Sequence, residues 1–335
     1  MMWLTWRQFR VQGAVALGAL AAFGVFLLIT GRNMRAGFAE IRAACGNGCG
    51  DSLNSYVQEQ QTLAGLVSVV LIAAPALLGM VWGAPLVARE VESGTHRLIW
   101  NQSISRTRWL LVRLLVVGAA AVLVTGVLSL MVTWWARPID AIAQDRFTPL
   151  VFEARGVVPL GYAAFAFAVG VCTGLLVRRT VAAVVVTMVV VLGVQVLVPL
   201  AVRPHLMTPT TKTVPVTGSE GWSKSGITGL GLRHRGSGSD TRLEVTISMA
   251  GDWVVSGPGT AVDASGKVAR GAEICAHQGF PPRAECIESM KLWVDVAYQP
   301  KDRYWTFQLL ETGLYVLLAG MLTWGGTAWL RRRPA

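Results

Sequence analysis

Charge is scarce in this chain: Asp, Glu, Lys and Arg make up 15% of its 335 residues, with 19 acids against 30 bases. Soluble domains carry roughly 25% charged residues, so a water-facing surface of ordinary size is excluded. The side chains of catalysis are equally thin. Four histidines, His96, His205, His234 and His277, lie far apart with no HExxH spacing, which leaves no metal site to read. No GxSxG elbow occurs, and no paired carboxylates lie inside the apolar runs for membrane-embedded acid–base work. The nearest approach to a phosphate-binding loop is TAVDASGKV, from Thr260 to Val268, but Ala261 replaces the first required Gly and Val268 the magnesium-holding Ser or Thr. The chain therefore does not hold ATP by that device, and no cofactor, metal or catalytic site is expected in it.

Hydrophobic residues fill the space that charge leaves, at 53% of the chain with a mean hydropathy of +0.49. Six runs approach or exceed the ~20 apolar residues that a helix needs to cross a bilayer: Val11–Thr30, Leu63–Val87, Leu114–Trp135, Val157–Val177, Val181–Val202 and Thr306–Leu330. The expected fold is an all-α polytopic membrane protein with six transmembrane helices. The first run is read as a retained helix rather than a signal peptide, because it is longer than an h-region and no small-x-small site follows.

Orientation follows from the bases. Alternate connections hold Arg7 and Arg10, five Arg between Arg89 and Arg113, Arg178 and Arg179, and Arg331 to Arg333; the other connections are longer, and most of the acids lie there. The densely basic side is expected inside, with both termini cytoplasmic. The formal charge of +11 then needs no nucleic-acid partner. In the first ten residues Met2, Trp6 and Phe9 share a helical face and Arg7 and Arg10 reach for lipid headgroups. That pattern fits either a separate interfacial helix or an anchor of the first crossing helix.

The connections predicted outside differ in kind. Gly31 to Thr62 is a modest loop, expected helical over Met34 to Ala44 and again near Leu53 to Gln61. Residues 203–305 are Gly, Ser, Thr and Pro rich up to Asp240. They then turn strand-like in LEVTIS, DWVVSG and KLWVDVAY, as a small mostly β extracellular domain between the fifth and sixth helices would. The domain boundaries expected are thus 1–202 for the membrane domain, 203–305 for the outer domain and 306–335 for the last helix and basic tail. Cysteine usage agrees: Cys45 pairs with Cys49 and Cys275 with Cys286 in the expected outer segments, where disulfides form, and Cys172 alone lies in a run. For Cys45 and Cys49 a metal site is the competing reading, though no His or further Cys pair stands near.

Polar residues inside the runs are few. Gln195 is the one strongly polar side chain of the fifth run, and Glu311 in the sixth is the only acid or base in any of them. Glu311 reads either as an interfacial carboxylate reaching water or, with Gln308 and Gln195, as polar lining of a translocation path. A bundle this bare has no counter-charge for an ion-driven carrier.

REVESGTHRLIWNQSISRTRW, from Arg89 to Trp109, is the only sizeable connection on the inner side. Glu90 and Glu92 open it, Gly94-Thr95 interrupt it, and Gln102 precedes a Ser that caps the next helix. By itself it reads as a positive-inside connector or as a short lever that a soluble partner grips. Its acidic pair, its Gly94-Thr95 and its Ser105-Arg106 before the third helix resemble the corresponding loop of the type-2 ABC exporter permeases. The YQPKDRYWTFQLLETGLY block from Tyr298 to Tyr315 and the WNQSISRTRW wording are similar to an actinobacterial drug and antibiotic exporter-like branch. The resemblance implies a half-transporter without its own ATPase, dimerising with a second permease chain. A separate ABC ATPase, which carries the ATP and magnesium, would dock on residues 88–109 through Glu90, Glu92, Gly94, Thr95, Gln102, Ser105 and Arg106. The expected function is export of a hydrophobic or amphipathic compound across the plasma membrane. The alternative is a signalling or anchoring membrane protein whose outer domain binds a partner.

Overall fold

The computed structural model describes residues 2–45, 49–92, 106–216, 227–234, 241–268 and 290–332. They form two units. A helical unit comprises Met1–Ala143, Thr148–Leu206 and Trp305–Ala335, and a β unit comprises Gln144–Phe147 with Met207–Tyr304.

Six helices in the helical unit are long and apolar enough to cross a membrane. Helix α1 runs from Met2 to Cys45 without interruption. Of the two readings of the first ten residues, continuity with the first crossing helix is the one observed, and the expected break after Thr30 is absent: no Pro occurs in the stretch, and Met34–Ala44 is rich in helix formers. Its 44 residues span about 66 Å, roughly twice the hydrocarbon thickness of a bilayer. A disulfide joins Cys45 to Cys49, with Cα atoms 5.4 Å apart, just before α2, Gly50–Leu78. The Cys275 and Cys286 pair lies outside the described residues.

Prolines shape three of the helices through the hydrogen bonds they withhold. Pro75 and Pro85 leave the carbonyls of Leu71 and Val81 without their usual donors, and between these prolines the helix widens into a π turn, Gly79–Gly83, before continuing as α3, Ala84–Glu92. Pro138 does the same to Trp134 in α4, Arg106–Ala143. The Arg35 Nη2 donates to that carbonyl at 3.1 Å, and its guanidinium lies 4.0 Å from the Trp134 ring centroid. Trp135 Nε1 donates to Thr30 Oγ1 at 3.0 Å, so α1 and α4 are joined twice.

A short helix α5, Pro149–Glu153, precedes α6, Val158–Val177, which is buried on every face and packs against α2, α3, α4 and α7. Helix α7, Thr180–Leu197, follows a turn in which Arg178 adopts a left-handed conformation, and ends in a second π turn, Val198–Val202, around Pro199. Helix α8 runs from Tyr304 to Arg332. Outward faces stay apolar: Leu115, Val181 and Leu200 are 70%, 79% and 70% exposed. Rows of such side chains belong against hydrocarbon.

The β unit stacks two antiparallel sheets. One has the order β1–β6–β4 (Thr210–Pro215, Trp293–Gln299, Trp253–Val254) and the other β2–β3–β5 (Ile227–His234, Thr241–Ile247, Gly259–Thr260). Val214, Val245, Ile247, Leu292, Val294 and Val296 from both sheets share one core. The three expected strands fall on β3, β4 and β6; β1 and β2 lie in the stretch read as Gly/Ser/Thr-rich connection. The unit begins at Met207 rather than Arg203, because Arg203 is 1% exposed among the helices. It also recruits Phe147, whose ring stacks on Trp253 and meets Tyr304 edge-on. The TAVDASGKV stretch is a tight turn in which Asp263 Oδ1 accepts from the backbone N–H of Ser265 and Lys267, closed by a Val262–Val268 bridge.

Helix α6 reaches its neighbours through glycine. A Cβ on Gly170 would run into the Gly79 carbonyl oxygen, whereas one on Gly193 of α7 would meet nothing. Gly170→Ala is therefore expected to destabilise the purified chain by about 1–3 kcal/mol by thermal unfolding in detergent, while Gly193→Ala leaves it unchanged or slightly raised.

Candidate functional site

One buried polar hub of the helical unit gathers Arg203, Glu311 and Glu153. Its centre is Arg203, at the end of the π turn that follows α7, with its side chain 1% exposed. Nε donates to Glu311 Oε2 at 2.8 Å and Nη2 to Glu311 Oε1 at 3.1 Å, a two-pronged contact. The same Nη2 reaches Glu153 Oε1 at 3.3 Å, and the guanidinium lies 4.2 Å from the Phe152 ring centroid. Tyr162 of α6 donates its hydroxyl to Glu311 Oε1 at 2.9 Å, and its ring packs edge-on against Tyr315.

Glu311 is thus 0% exposed and ion-paired. The expectation of an interfacial carboxylate reaching water is overturned, because Arg203 supplies the counter-charge from within the bundle. Gln308, one turn earlier, is equally buried and fully engaged. Its Oε1 accepts from the N–H groups of Val157 and Val158 at 3.0 and 3.1 Å, capping the free donors at the start of α6, and its Nε2 donates to the Phe152 carbonyl. The bend that brings α5 to α6 turns on Gly156, whose φ of +66° suits glycine and where a Cβ would lie 2.7 Å from Gln308 Oε1. Ser129 of α4 donates to the Gly156 carbonyl at 2.8 Å. A second buried arginine, Arg155, donates through Nε to Asp140 Oδ2 at 3.1 Å and through Nη1 to the Ala154 carbonyl.

Gln195 stands apart from the hub. Its Nε2 donates to the Ile72 carbonyl of α2 at 3.1 Å, while its buried Oε1 has no hydrogen-bond partner among the described residues. Of the three residues assigned to a translocation path, Gln308 and Glu311 share the hub and Gln195 is the one with unused hydrogen-bonding capacity.

The connection from residue 88 to 109 is described only at its ends. Gly94, Thr95, Gln102 and Ser105 lie outside the described residues; Glu90 falls in α3, and Arg106 opens α4. Glu92, the last residue of α3, points back into the bundle's end rather than away from it. One carboxylate oxygen accepts both the backbone N–H of Thr180, at 3.0 Å, and its hydroxyl, at 2.6 Å. Those bonds hold the Glu92 carboxyl below its ordinary range and cap the start of α7. Beneath this tie Ala84, Ala88 and Ala183 are wholly buried.

Arg203, Glu153, Arg155 and Thr180 were not singled out in the sequence. One signal was there for Arg203: a lone acid in an apolar run needs a counter-charge, and Arg203 directly follows the fifth run. Arg203→Gln is expected to cost about 3–5 kcal/mol of stability by leaving Glu311 buried and unpaired, with the Arg203→Gln, Glu311→Gln double variant recovering part of it in a double-variant cycle.

The chain matches the model of one family, described as ABC-2 membrane transporter related, over residues 17–203. No curated protein and no solved structure matches it. The matched stretch runs from within α1 through α7, including both π turns, the Glu92–Thr180 tie and Arg203, and exceeds half of the 335 residues. The chain belongs to the ABC-2 membrane transporter related family.

Proposed function

We propose that the chain is the permease subunit of an ATP-driven exporter that moves a hydrophobic or amphipathic compound across the plasma membrane. Family membership over α1 to α7 carries this reading, and six apolar crossing helices fit a multi-pass permease. In this reading a separate ABC ATPase holds ATP and magnesium and docks on the connection between α3 and α4, and two permease chains, this one and a second, form the membrane pore. Both termini and the Arg178-Arg179 turn face the cytoplasm, and the β unit faces outward. The buried interior favours an apolar cargo: apart from Tyr162 and Thr173, the buried residues of α6 are apolar, mostly Ala, Val, Phe and Gly.

The Glu92 tie supports coupling at this end of the bundle. A carboxylate at the foot of α3 that caps α7 passes a displacement of the loop into two helices, with no flexible linker between them.

Two measurements test the reading. An ABC ATPase is expected to co-purify with the chain from its native membrane, and charge reversal of Glu90 or Glu92 to Lys is expected to uncouple ATP hydrolysis from export while leaving the complex intact. Unchanged transport in both variants removes the coupling role, and failure of any ATPase to co-purify favours an anchoring or signalling protein. For topology, a membrane-impermeant thiol reagent is expected to label Cys275 and Cys286 in intact cells after reduction, in a Cys45→Ser, Cys49→Ser background. Labelling only after permeabilisation reverses the orientation.

A further inference from the structure

The hub carries more negative charge than it can neutralise. Arg203 contributes one positive charge, and Glu311 and Glu153 each offer a carboxylate, with side chains 0% and 8% exposed. The guanidinium gives its two-pronged face to Glu311, at 2.8 and 3.1 Å. Glu153 receives only the longer bond of 3.3 Å, from a nitrogen that it shares with Glu311. Two carboxylates competing for one cation in a site with little water cannot both ionise freely, and the one with the weaker contact takes the proton.

No other described group relieves Glu153. From α6 the hub is faced by Tyr162, whose hydroxyl already donates to Glu311, and from α8 by Glu311 and Tyr315. Arg155, two residues along, is directed to Asp140 of α4 instead, at 3.1 Å. Burial, reinforced by the neighbouring Glu311, outweighs Arg203 and pushes the Glu153 carboxyl up from the ordinary 4.5 to about 7.

We infer that Glu153 is a proton-binding site of the helical unit, and that its protonation releases α5 from Arg203 while the Arg203–Glu311 pair stays closed. In the step a hydronium ion gives its proton to the Glu153 carboxylate, water leaves, and the hub passes from a net charge of −1 to neutral. The Arg203 Nη2 then has only Glu311 as an ionised acceptor. Glu153, Arg203 and Glu311 sit on α5, on the turn after α7 and on α8, so the step frees one of the three elements that the hub holds together within the helical unit. This inference does not rest on the transport reading and holds for any function of the chain.

Linkage gives the sign. A carboxyl raised from 4.5 to about 7 in the fold adds stability that is complete below pH 4.5 and is lost as pH rises through 7.

The test is an infrared pH titration of the full chain in lipid nanodiscs, reading the C=O stretch of protonated carboxyls. The wild-type chain is expected to show a band that disappears with a midpoint near pH 7, and Glu153→Gln to lack it. Glu311→Gln removes the competing charge and frees the guanidinium for Glu153, so the midpoint is expected to fall by at least about one pH unit, a tenfold loss of proton affinity. Carbon-13 labelling of Glu carboxyls in the wild-type chain gives a readout that needs no variant to fold: the titrating band shifts with Glu label and not with Asp label. Absence of any band titrating near neutrality, its persistence in Glu153→Gln, an unmoved midpoint in Glu311→Gln, or a shift on Asp label overturns the assignment.

Discussion

The buried pair of Arg203 and Glu311 is the constraint around which the rest of the helical unit is arranged. Ions removed from water on this scale cost several kcal/mol each unless paired and hydrogen-bonded. A single pairing satisfies neither group fully, so the surroundings supply more: Tyr162 donates to Glu311, and Glu153 and the Phe152 ring receive the guanidinium. The partners come from three elements, α5, α6 and α8, which means that these and the end of α7 have one arrangement in which the charges are answered. The same logic extends to uncharged groups nearby. The bend at Gly156 exposes backbone donors at the start of α6, and Gln308 of α8 accepts two of them.

Away from the hub, backbone rather than side chains decides the packing. Helix α6 carries glycine where it meets the π turn of Gly79–Gly83, and Gly174 comes as close to the Ala84 carbonyl, with a hypothetical Cβ 2.6 Å from it. Such contacts need two conditions at once: small residues on α6 and a local widening in the opposing helix. Pro75 and Pro85 supply the second by withdrawing two donors from the ladder. The widened turn between those prolines is a product of the pair.

Much of the architecture was legible in the sequence because it follows from length and hydropathy. The six runs became the six long helices, and Cys45 and Cys49 joined. Boundaries set by polarity were less reliable. Residues 31–44 are polar enough to look like an outer connection with a short helix of its own, yet they are helix formers without Pro, and α1 passes straight through them. Arg203 was assigned to the outer segment for the same reason, since an Arg at the end of an apolar run reads as a membrane flank. Its burial depends on Glu311, more than a hundred residues away, and no local pattern reports a partner at that distance. Strands β1 and β2 were missed because Gly, Ser and Thr dominate their surroundings, although β1 itself carries strand-favouring Thr and Val and pairs with β6 in register from Thr210 opposite Tyr298.

Helix α7 is held at its two ends by unlike chemistry, and this sets where the bundle can yield. At Thr180 the fastening is one exposed carboxylate, Glu92, whose hydrogen bonds compete with water and are screened by salt. At Arg203 it is a buried, multiply bonded guanidinium that cannot be unpaired without stranding a charge. Between the two lies the Val198–Val202 π turn, a weak point in the helix ladder. Of the two fastenings the exposed one at Thr180 is therefore the weaker, and the π turn lies between it and the hub. The hub changes only when its own charge balance does, which separates whatever acts on the loop from whatever acts on Glu153.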